Sequence, residues 1–197
     1  MSKKKEPIPY VSRGGLKLAH ALKEFNLDVH GKTAIDVGAA TGGFTDCLLQ
    51  NGAAKVYTVD VSYGQLAWKL RQDPRVKVTE RKNVRFLALK DLGLMTSDIG
   101  LGVIDVSFIS LTKVLPVVLG LLAEKAEVIA LIKPQFEAKR DQVPRGGVIK
   151  DQAVRDETVE RIKKAAVETG FTLGGLTQSP VEGADGNVEY LIRLIKG

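Results

Sequence analysis

The stretch Ala34-Ile35-Asp36-Val37-Gly38-Ala39-Ala40-Thr41-Gly42-Gly43-Phe44 decides the fold of this 197-residue chain. An apolar run breaks into a glycine-rich loop, and the next apolar run, Tyr57-Thr58-Val59, ends at Asp60. Glycines lack the Cβ atoms that keep a ligand away from the backbone, so a strand that passes through such a loop into a helix predicts a nucleotide-type pocket. The alternative interpretation is a tight strand-to-helix turn that serves packing alone.

The spacing of the glycines distinguishes two kinds of nucleotide. A dinucleotide fingerprint reads G-x-G-x-x-G, whereas here Gly38 is followed by three residues and then the pair Gly42-Gly43, with the acid Asp36 shortly before. A diphosphate needs a helix N-terminus free of carboxylates, while a sulfonium with an amino-acid tail tolerates a nearby acid. The loop therefore favours S-adenosylmethionine over NAD. Asp60 is placed for the ribose hydroxyls of either one.

Composition indicates one globular domain, with 44% hydrophobic and 26% charged residues. The net charge is +6, and the basic residues cluster in Met1–Lys23 and Lys69–Lys90. Both clusters favour a polyanionic partner, although such runs are also ordinary solvated faces. The single cysteine, Cys47, fits a reducing cytoplasm, and with only His20 and His30 besides we expect no metal site. No segment is apolar over the roughly 20 residues that span a bilayer, so we expect no membrane partner.

Apolar runs alternate with helix-length segments along the chain, which is typical of a parallel sheet with helices on both faces. The predicted strands are Thr33–Val37, Lys55–Val59, Val76–Thr79, Leu101–Val106, Val128–Ile132, Phe171–Leu176 and Val188–Ile195, the last two as an antiparallel pair. The predicted helices are Gly43–Asn51, Gly64–Arg71, Thr112–Ala123 and Asp151–Thr169, preceded by an amphipathic helix within Tyr10–Phe25. The predicted fold is α/β and Rossmann-like, with a seven-stranded, mostly parallel sheet whose last strand is antiparallel.

An acid and a base end neighbouring strands of this predicted sheet. Asp105 ends the fourth predicted strand, in Val103-Ile104-Asp105-Val106, and Lys133 ends the fifth. Ligands of open parallel sheets bind at the carboxyl ends of the strands, so the pair favours a functional site. Either residue alone would be interpreted as an ordinary charged residue at the point where a strand reaches the solvent.

Two further features have competing interpretations. The polar segment Pro134–Lys150 is either a substrate lid with Gly146-Gly147 as hinge or an ordinary exposed basic loop. We interpret Trp68 as packed against the sheet rather than as a stacking surface for a base. Cys47 is interpreted as a small buried side chain and not as a nucleophile.

Five motifs in order resemble one family. They are Tyr10-Val11-Ser12-Arg13-Gly14-Gly15-Leu16-Lys17-Leu18, Asp36-Val37-Gly38-Ala39-Ala40-Thr41-Gly42-Gly43-Phe44-Thr45, Asp105-Val106-Ser107-Phe108-Ile109-Ser110-Leu111, Ile132-Lys133-Pro134-Gln135-Phe136-Glu137 and Gly186-Asn187-Val188-Glu189-Tyr190-Leu191. Together they resemble the TlyA, or hemolysin A-like, group of FtsJ/RrmJ-like ribosomal RNA methyltransferases. The resemblance makes residues 10–197 an FtsJ-like methyltransferase domain and residues 1–9 a basic tail or linker remnant. We expect the small N-terminal RNA-binding domain usual in that group to be missing.

The resemblance implies an activity and a set of site residues. The activity is S-adenosylmethionine-dependent 2′-O-methylation of cytidine ribose in ribosomal RNA, with ribosomal RNA or ribosomal subunits as partners. The implied catalytic tetrad is Lys17, Asp105, Lys133 and Glu189. The implied cofactor contacts are Asp36, Gly38, Gly42, Gly43, Phe44 and Asp60, with Asn83 or Val84 at the adenine and Asp105 near the methionine end. Because a ribose hydroxyl is a poor nucleophile, Lys133 is the expected base or hydroxyl-orienting group.

Three other interpretations stay open at this point. One is a membrane-active hemolysin, which only the name of the family suggests. Another is a methyltransferase fold that acts on a small molecule, against which the basic N-terminal segment argues. The last is an RNA-binding module with weak or no catalysis, against which the complete tetrad argues.

Overall fold

A seven-stranded sheet forms the frame of the computed structural model, which describes residues 8–183 and 186–197. The strands are β1 (Thr33–Val37), β2 (Lys55–Val59), β3 (Val76–Thr79), β4 (Leu101–Ile104), β5 (Glu127–Ile132), β6 (Phe171–Gln178) and β7 (Tyr190–Lys196). Their order across the sheet is β3-β2-β1-β4-β5-β7-β6. The first seven residues, most of the predicted basic tail, lie outside the described residues.

The directions of the strands confirm the predicted fold class. Strands β1 to β5 pair in parallel, while β7 is antiparallel to both of its neighbours, β5 and β6. Six strands therefore run one way and the last runs against them. All four residues of β4 are buried, as expected for a central parallel strand that is covered on both faces.

Helices cover both faces of this sheet. They are α1 (Gly14–Glu24), α2 (Gly43–Gln50), α3 (Trp68–Arg71), α4 (Leu111–Leu121), α5 (Pro134–Glu137) and α6 (Gln152–Thr169). Because successive strand residues point to opposite faces, Ala34 packs with α1 and α2, while Ile35 packs with α4 and α6. The two apolar cores hold the carboxyl ends of β1, β2, β4 and β5 at one edge of the sheet.

The prediction for Trp68 is wrong. The helix begins only at Trp68, where the sequence predicts one from Gly64, and the indole is 71% exposed. Leu66 and Leu70 are the residues that pack inward there, at 6% and 3% exposure. Leu70, two positions further along α3, lies on nearly the opposite side of the helix from Trp68, so burial of Leu70 turns Trp68 outward.

The segment Pro134–Lys150 contains the short helix α5 and a 3₁₀ turn at Arg140–Gln142. Its far end is bonded to buried Asn187, whose amide donates to the Gly147 carbonyl at 3.0 Å. The Ile149 backbone N–H donates to the side-chain Oδ1 of Asn187 at 3.1 Å. Within the described ranges, no helix combines the length and apolar character that a membrane crossing needs.

Candidate active site

Two adjoining clefts open at the carboxyl edge of the parallel strands. The larger, about 850 Å³, is lined by residues that follow β1, β2 and β4, among them Gly38, Asp60 and Asp105. The smaller, about 290 Å³, lies between this edge and the start of α1. Gly38, Asp105 and Ser107 line both clefts. This edge is where ligands bind in open α/β sheets.

The glycine loop brings three strand ends together. Gly38 has φ +86°, and a Cβ at this position would lie 2.3 Å from the Asp105 carbonyl oxygen. Its N–H donates to the Val59 carbonyl at 2.8 Å, which ties β1 to β2. Only glycine permits this conformation and this close approach together. Of the other predicted loop contacts, Gly43 and Phe44 line the smaller cleft, whereas Gly42 precedes α2 and lines neither cleft.

Asp60 presents its carboxylate to the larger cleft. One oxygen accepts a hydrogen bond from the Ala40 N–H at 2.8 Å and the other accepts one from the Ser62 N–H at 2.7 Å. Each carboxylate oxygen has lone pairs left for two neighbouring hydroxyl groups. Asn83 and Val84 line the same cleft. The larger cleft therefore offers a carboxylate and a neighbouring apolar wall to a nucleoside.

Asp36 lies behind the glycine loop and lines neither cleft. Its carboxyl group is 0% exposed; Oδ2 accepts from the Thr45 hydroxyl at 2.6 Å, and Oδ1 has no hydrogen-bond partner in the described part of the chain. Burial is the main cause that raises the pKa of Asp36 to about 7, and the charges of Asp105 and Asp60 add to the shift. The structure thus places Asp36, like Gly42, apart from the predicted cofactor residues that line a cleft.

Lys133 and Asp105 meet between the two clefts. Lys133 Nζ lies 2.6 Å from Asp105 Oδ1 and donates a hydrogen bond to Ser107 Oγ at 2.9 Å. Parallel pairing of β4 with β5 sets their carboxyl ends side by side, which brings these residues together. The sequence analysis missed Ser107, although its position two residues beyond Asp105 at a strand end was a usable signal.

A second lysine–carboxylate pair closes the smaller cleft. Lys17 on α1 donates to Glu189 Oε2 at 2.5 Å, and the two residues are 8% and 2% exposed. Lys17, Asp105 and Lys133 line the smaller cleft, and Glu189 holds Lys17 from behind it. The structure therefore brings the four residues of the predicted tetrad to one place, although they span 172 positions of sequence from first to last.

Other reactive side chains add nothing to this site. Cys47 is buried, and its burial raises the pKa of its thiol to about 12, which keeps it from acting as a thiolate nucleophile. Among the residues that the structure describes, no three or more His, Cys, Asp or Glu side chains group as metal ligands. The chemistry available here is that of amines, carboxylates and a hydroxyl beside a nucleoside-sized cleft.

The sheet order, the glycine loop and the cleft at this edge define a methyltransferase of the S-adenosylmethionine-dependent fold class. Two solved structures share the fold: one from Listeria monocytogenes, provisionally named an S-adenosylmethionine-dependent methyltransferase, is 16% identical with a TM-score of 0.69 and covers 94% of this chain and 98% of that one. The S-adenosylmethionine-dependent methyltransferase of Mesorhizobium loti is 14% identical with a TM-score of 0.67 and covers 90% of this chain and 96% of that one. Residues 10–196 match the model of the FtsJ-like methyltransferase family, and the chain belongs to that family.

Proteins with higher identity confirm the resemblance to the TlyA group. YqxC of Bacillus subtilis, which has a provisional rRNA methyltransferase name, is 49% identical over 97% of this chain and 67% of its own length. The 16S/23S rRNA (cytidine-2′-O)-methyltransferase TlyA of Mycobacterium tuberculosis is 46% identical over 94% of this chain and 68% of its own. A crystal structure from Lactococcus lactis, provisionally named a hemolysin, is 51% identical with a TM-score of 0.92, covering 97% of this chain and 90% of that one.

Proposed function

We propose that this protein transfers the methyl group of S-adenosylmethionine to the 2′-hydroxyl of a cytidine ribose in ribosomal RNA. The observation that carries the proposal is the meeting of two lysine–carboxylate pairs, Lys17–Glu189 and Lys133–Asp105, at one small cleft. That cleft adjoins a second one of nucleoside size. The activity named for the TlyA relative supports the same reaction.

The larger cleft fits the proposed cofactor. The missing Cβ of Gly38 leaves open backbone at the strand end, and Asp60 offers a carboxylate to the two ribose hydroxyls. Asn83 and Val84 would lie at the adenine, and Asp105 at the methionine end. Asp36 would support the glycine loop from behind rather than contact the cofactor. When bound, S-adenosylmethionine supplies an electrophilic methyl group.

The tetrad residues would prepare the ribose hydroxyl. We assign Lys133 to hold this hydroxyl and, after its ammonium group has lost a proton to solvent, to accept the hydroxyl proton as a neutral amine, because Asp105 and Ser107 fix the amine at the border of the two clefts. Lys17, fixed by Glu189, would hold the ribose or the adjacent phosphate. Fixed amines supply orientation, which is the larger requirement for an in-line transfer to a weak nucleophile.

Exposed basic residues beside the clefts support an RNA partner. Arg85 and Lys113 are exposed and line the larger cleft. In the segment Pro134–Lys150, Lys139 is paired with Glu157 at 3.2 Å, while Arg140, Arg145 and Lys150 are further exposed basic residues. The proposed partner is ribosomal RNA or a ribosomal subunit, and the proposed location is therefore the cytoplasm.

The direct test uses labelled S-adenosylmethionine with ribosomal subunits, whole ribosomes or naked ribosomal RNA from a strain that lacks the activity. The expected result is label on a cytidine 2′-oxygen, mapped by resistance of the neighbouring phosphodiester to alkaline cleavage. Salt-sensitive RNA binding without label would identify an RNA-binding module instead. Lysis of cells by purified protein that persisted in Asp36→Ala would identify a hemolysin.

Lys133→Ala tests the assigned base. We expect kcat to fall by about 10²- to 10⁴-fold, the range of a lost general base, while the Kd of S-adenosylmethionine stays within about twofold of wild type. Lys133→Arg is the matched variant, because it keeps the positive charge but cannot accept a proton. Full activity of Lys133→Arg would assign the residue to charge and orientation alone, and full activity of Lys133→Ala would remove it from the mechanism.

A further inference from the structure

The loop that follows β4 and the segment that follows β5 face each other across the active-site border. At the start of the loop, Lys133 contacts Asp105 and Ser107. In the middle, the rings of Phe108 and Phe136 pack with centroids 4.8 Å apart and planes tilted by 51°. The two segments therefore make contact along their length.

Glu137 closes the other end of the same loop. Its carboxylate accepts hydrogen bonds from the Ser110 hydroxyl and from the Leu111 backbone N–H, both at 2.7 Å. The side chain is 3% exposed, and burial raises the pKa of its carboxyl group. Arg161, which is 43% exposed, lies 3.4 Å away as a third partner. A buried carboxylate with these partners fixes where the loop ends and α4 begins.

Lys133 directly precedes α5 and Glu137 is its last residue, so the two residues, four positions apart, can hold the two ends of one short loop. The loop needs such support because Phe108, at its centre, has φ +62°. A bulky non-glycine residue in this conformation persists only where its surroundings hold it. Release of one end would let the backbone relax and would carry Asp105 and Ser107 away from Lys133.

We propose that Glu137 is a positioning residue that keeps Asp105 and Ser107 in contact with Lys133 by anchoring the far end of their loop. Glu137 lines neither cleft, so it acts through these residues and not by touching cofactor or substrate. The catalytic part of this proposal rests on the proposed function, since Lys133 is the residue whose placement would change the rate of methyl transfer.

Two substitutions distinguish the effect of the length of the Glu137 side chain from the effect of its charge. Glu137→Asp keeps the charge but is one methylene shorter, so it cannot serve both donors from the same backbone position. Glu137→Gln loses the charge but keeps the reach, because its amide oxygen accepts from Leu111 and its NH₂ donates to the Ser110 hydroxyl. Arg161→Ala is the control, since it removes the exposed partner of the same carboxylate and leaves the loop bonds in place.

The first measurement is kcat on ribosomal RNA together with the Kd of S-adenosylmethionine. We expect Glu137→Asp to lose about tenfold or more in kcat, the scale of a misplaced catalytic group, with the Kd within about threefold of wild type. Glu137→Gln and Arg161→Ala are expected to stay within about threefold in both quantities. A folded Glu137→Asp with wild-type kcat, even with a lowered melting temperature, would reduce Glu137 to a structural cap and overturn the proposal.

The second measurement does not depend on methylation. In crystal structures of the variants, we expect the distance from Lys133 Nζ to Asp105 Oδ1 to exceed about 4 Å, the limit of an ion pair, in Glu137→Asp but not in Glu137→Gln. An unchanged distance in Glu137→Asp overturns the positioning role. If the wild-type protein methylates no RNA, the proposed function fails, while this distance still decides what Glu137 does.

Discussion

Among single residues, Asp36 has the most unusual environment in the described part of the chain. Its carboxyl group is fully buried with one unpartnered oxygen, and burial raises its pKa to about 7, against about 3.9 in an unfolded chain. Between these two values the folded protein keeps a proton that the unfolded chain has lost. The free energy of unfolding therefore falls as the pH rises from about 4 to about 7, by up to about 1.4 kcal/mol per pH unit, and the loss is complete above pH 7.

Asp36→Asn tests this linkage, since asparagine stays neutral and can still accept from Thr45. We expect the free energy of unfolding of the variant, minus that of wild type, to increase from pH 5 to pH 8 in urea titrations. Thr45→Val is the companion variant: the Thr45 hydrogen bond lowers the pKa of Asp36, so its removal extends the fall of stability to higher pH. A difference between Asp36→Asn and wild type that stays constant across this range would contradict a buried titrating carboxyl group.

The residues that could be predicted from the sequence are those at the ends of apolar strands. Asp105 and Lys133 follow apolar runs directly, so the sheet itself predicts their meeting. Ser107 and Glu137 were not singled out because their roles depend on partners 26 residues away in sequence, which only packing brings together. Lys17 and Glu189 became candidates through the family resemblance, since no local pattern links positions 172 residues apart.

At the scale of elements, α1 and α2 approach each other closely beside the smaller cleft. A Cβ on Gly43 would lie 2.9 Å from the Gly15 backbone nitrogen and 3.2 Å from the Gly14 Cα. These are backbone atoms, so they cannot rotate away as a side chain would. The contact fixes α1, and with it Lys17, against the glycine loop.

Gly43→Ala is expected to push α1 outward, to lower the free energy of unfolding by about 1–3 kcal/mol and to reduce methyl transfer through displacement of Lys17. Gly120→Ala is the matched control, because Gly120 lies in α4 with no atom within 4 Å of the added Cβ. Because alanine has a higher helix propensity than glycine, Gly120→Ala should raise the free energy of unfolding by about 0.5–1 kcal/mol. Urea unfolding measures the free energy of unfolding of both variants. An equal value for Gly43→Ala and wild type would show that α1 and α2 can accommodate the added methyl group.

The sequence predicted strand ends best where a turn or charged residue stands directly beyond the strand. Strands β1, β2 and β3 have the predicted bounds and are followed by Gly38, Asp60 and Glu80, whereas the fully buried β4 ends at Ile104, two residues before the predicted end at Val106. The bounds of β6 and β7 differ from the prediction because pairing sets their ends: Gln178 continues β6 through its partner Tyr190. The start of α3 depends on which leucines pack into the core, and the local periodicity of the sequence does not predict this.

Across the whole molecule, the net charge of +6 is arranged unevenly around the clefts. Lys17 and Lys133 are paired with carboxylates inside the smaller cleft, so their charges are locally balanced. Arg85 and Lys113 are exposed and line the larger cleft. On α6, exposed Lys164 lies 3.8 Å from Glu168 and lines neither cleft. Under the proposed function, we therefore expect the exposed cations at the larger cleft to be the ones that neutralise RNA phosphates.

The combined variant Arg85→Ala, Lys113→Ala tests this placement through the salt dependence of ribosomal RNA binding. Each phosphate contact contributes about 0.7–0.9 to the slope of log Kobs against log salt concentration, so loss of two contacts should lower the magnitude of the slope by about 1.4–1.8. Lys164→Ala removes one positive charge from the same molecule and should leave the slope unchanged, since Lys164 lines neither cleft. If both variants changed the slope in proportion to the charge removed, the RNA would be responding to the net charge of the protein. A change confined to the combined variant would mean that the phosphates follow the rim of the cleft, as the proposed delivery of one ribose to Lys133 requires.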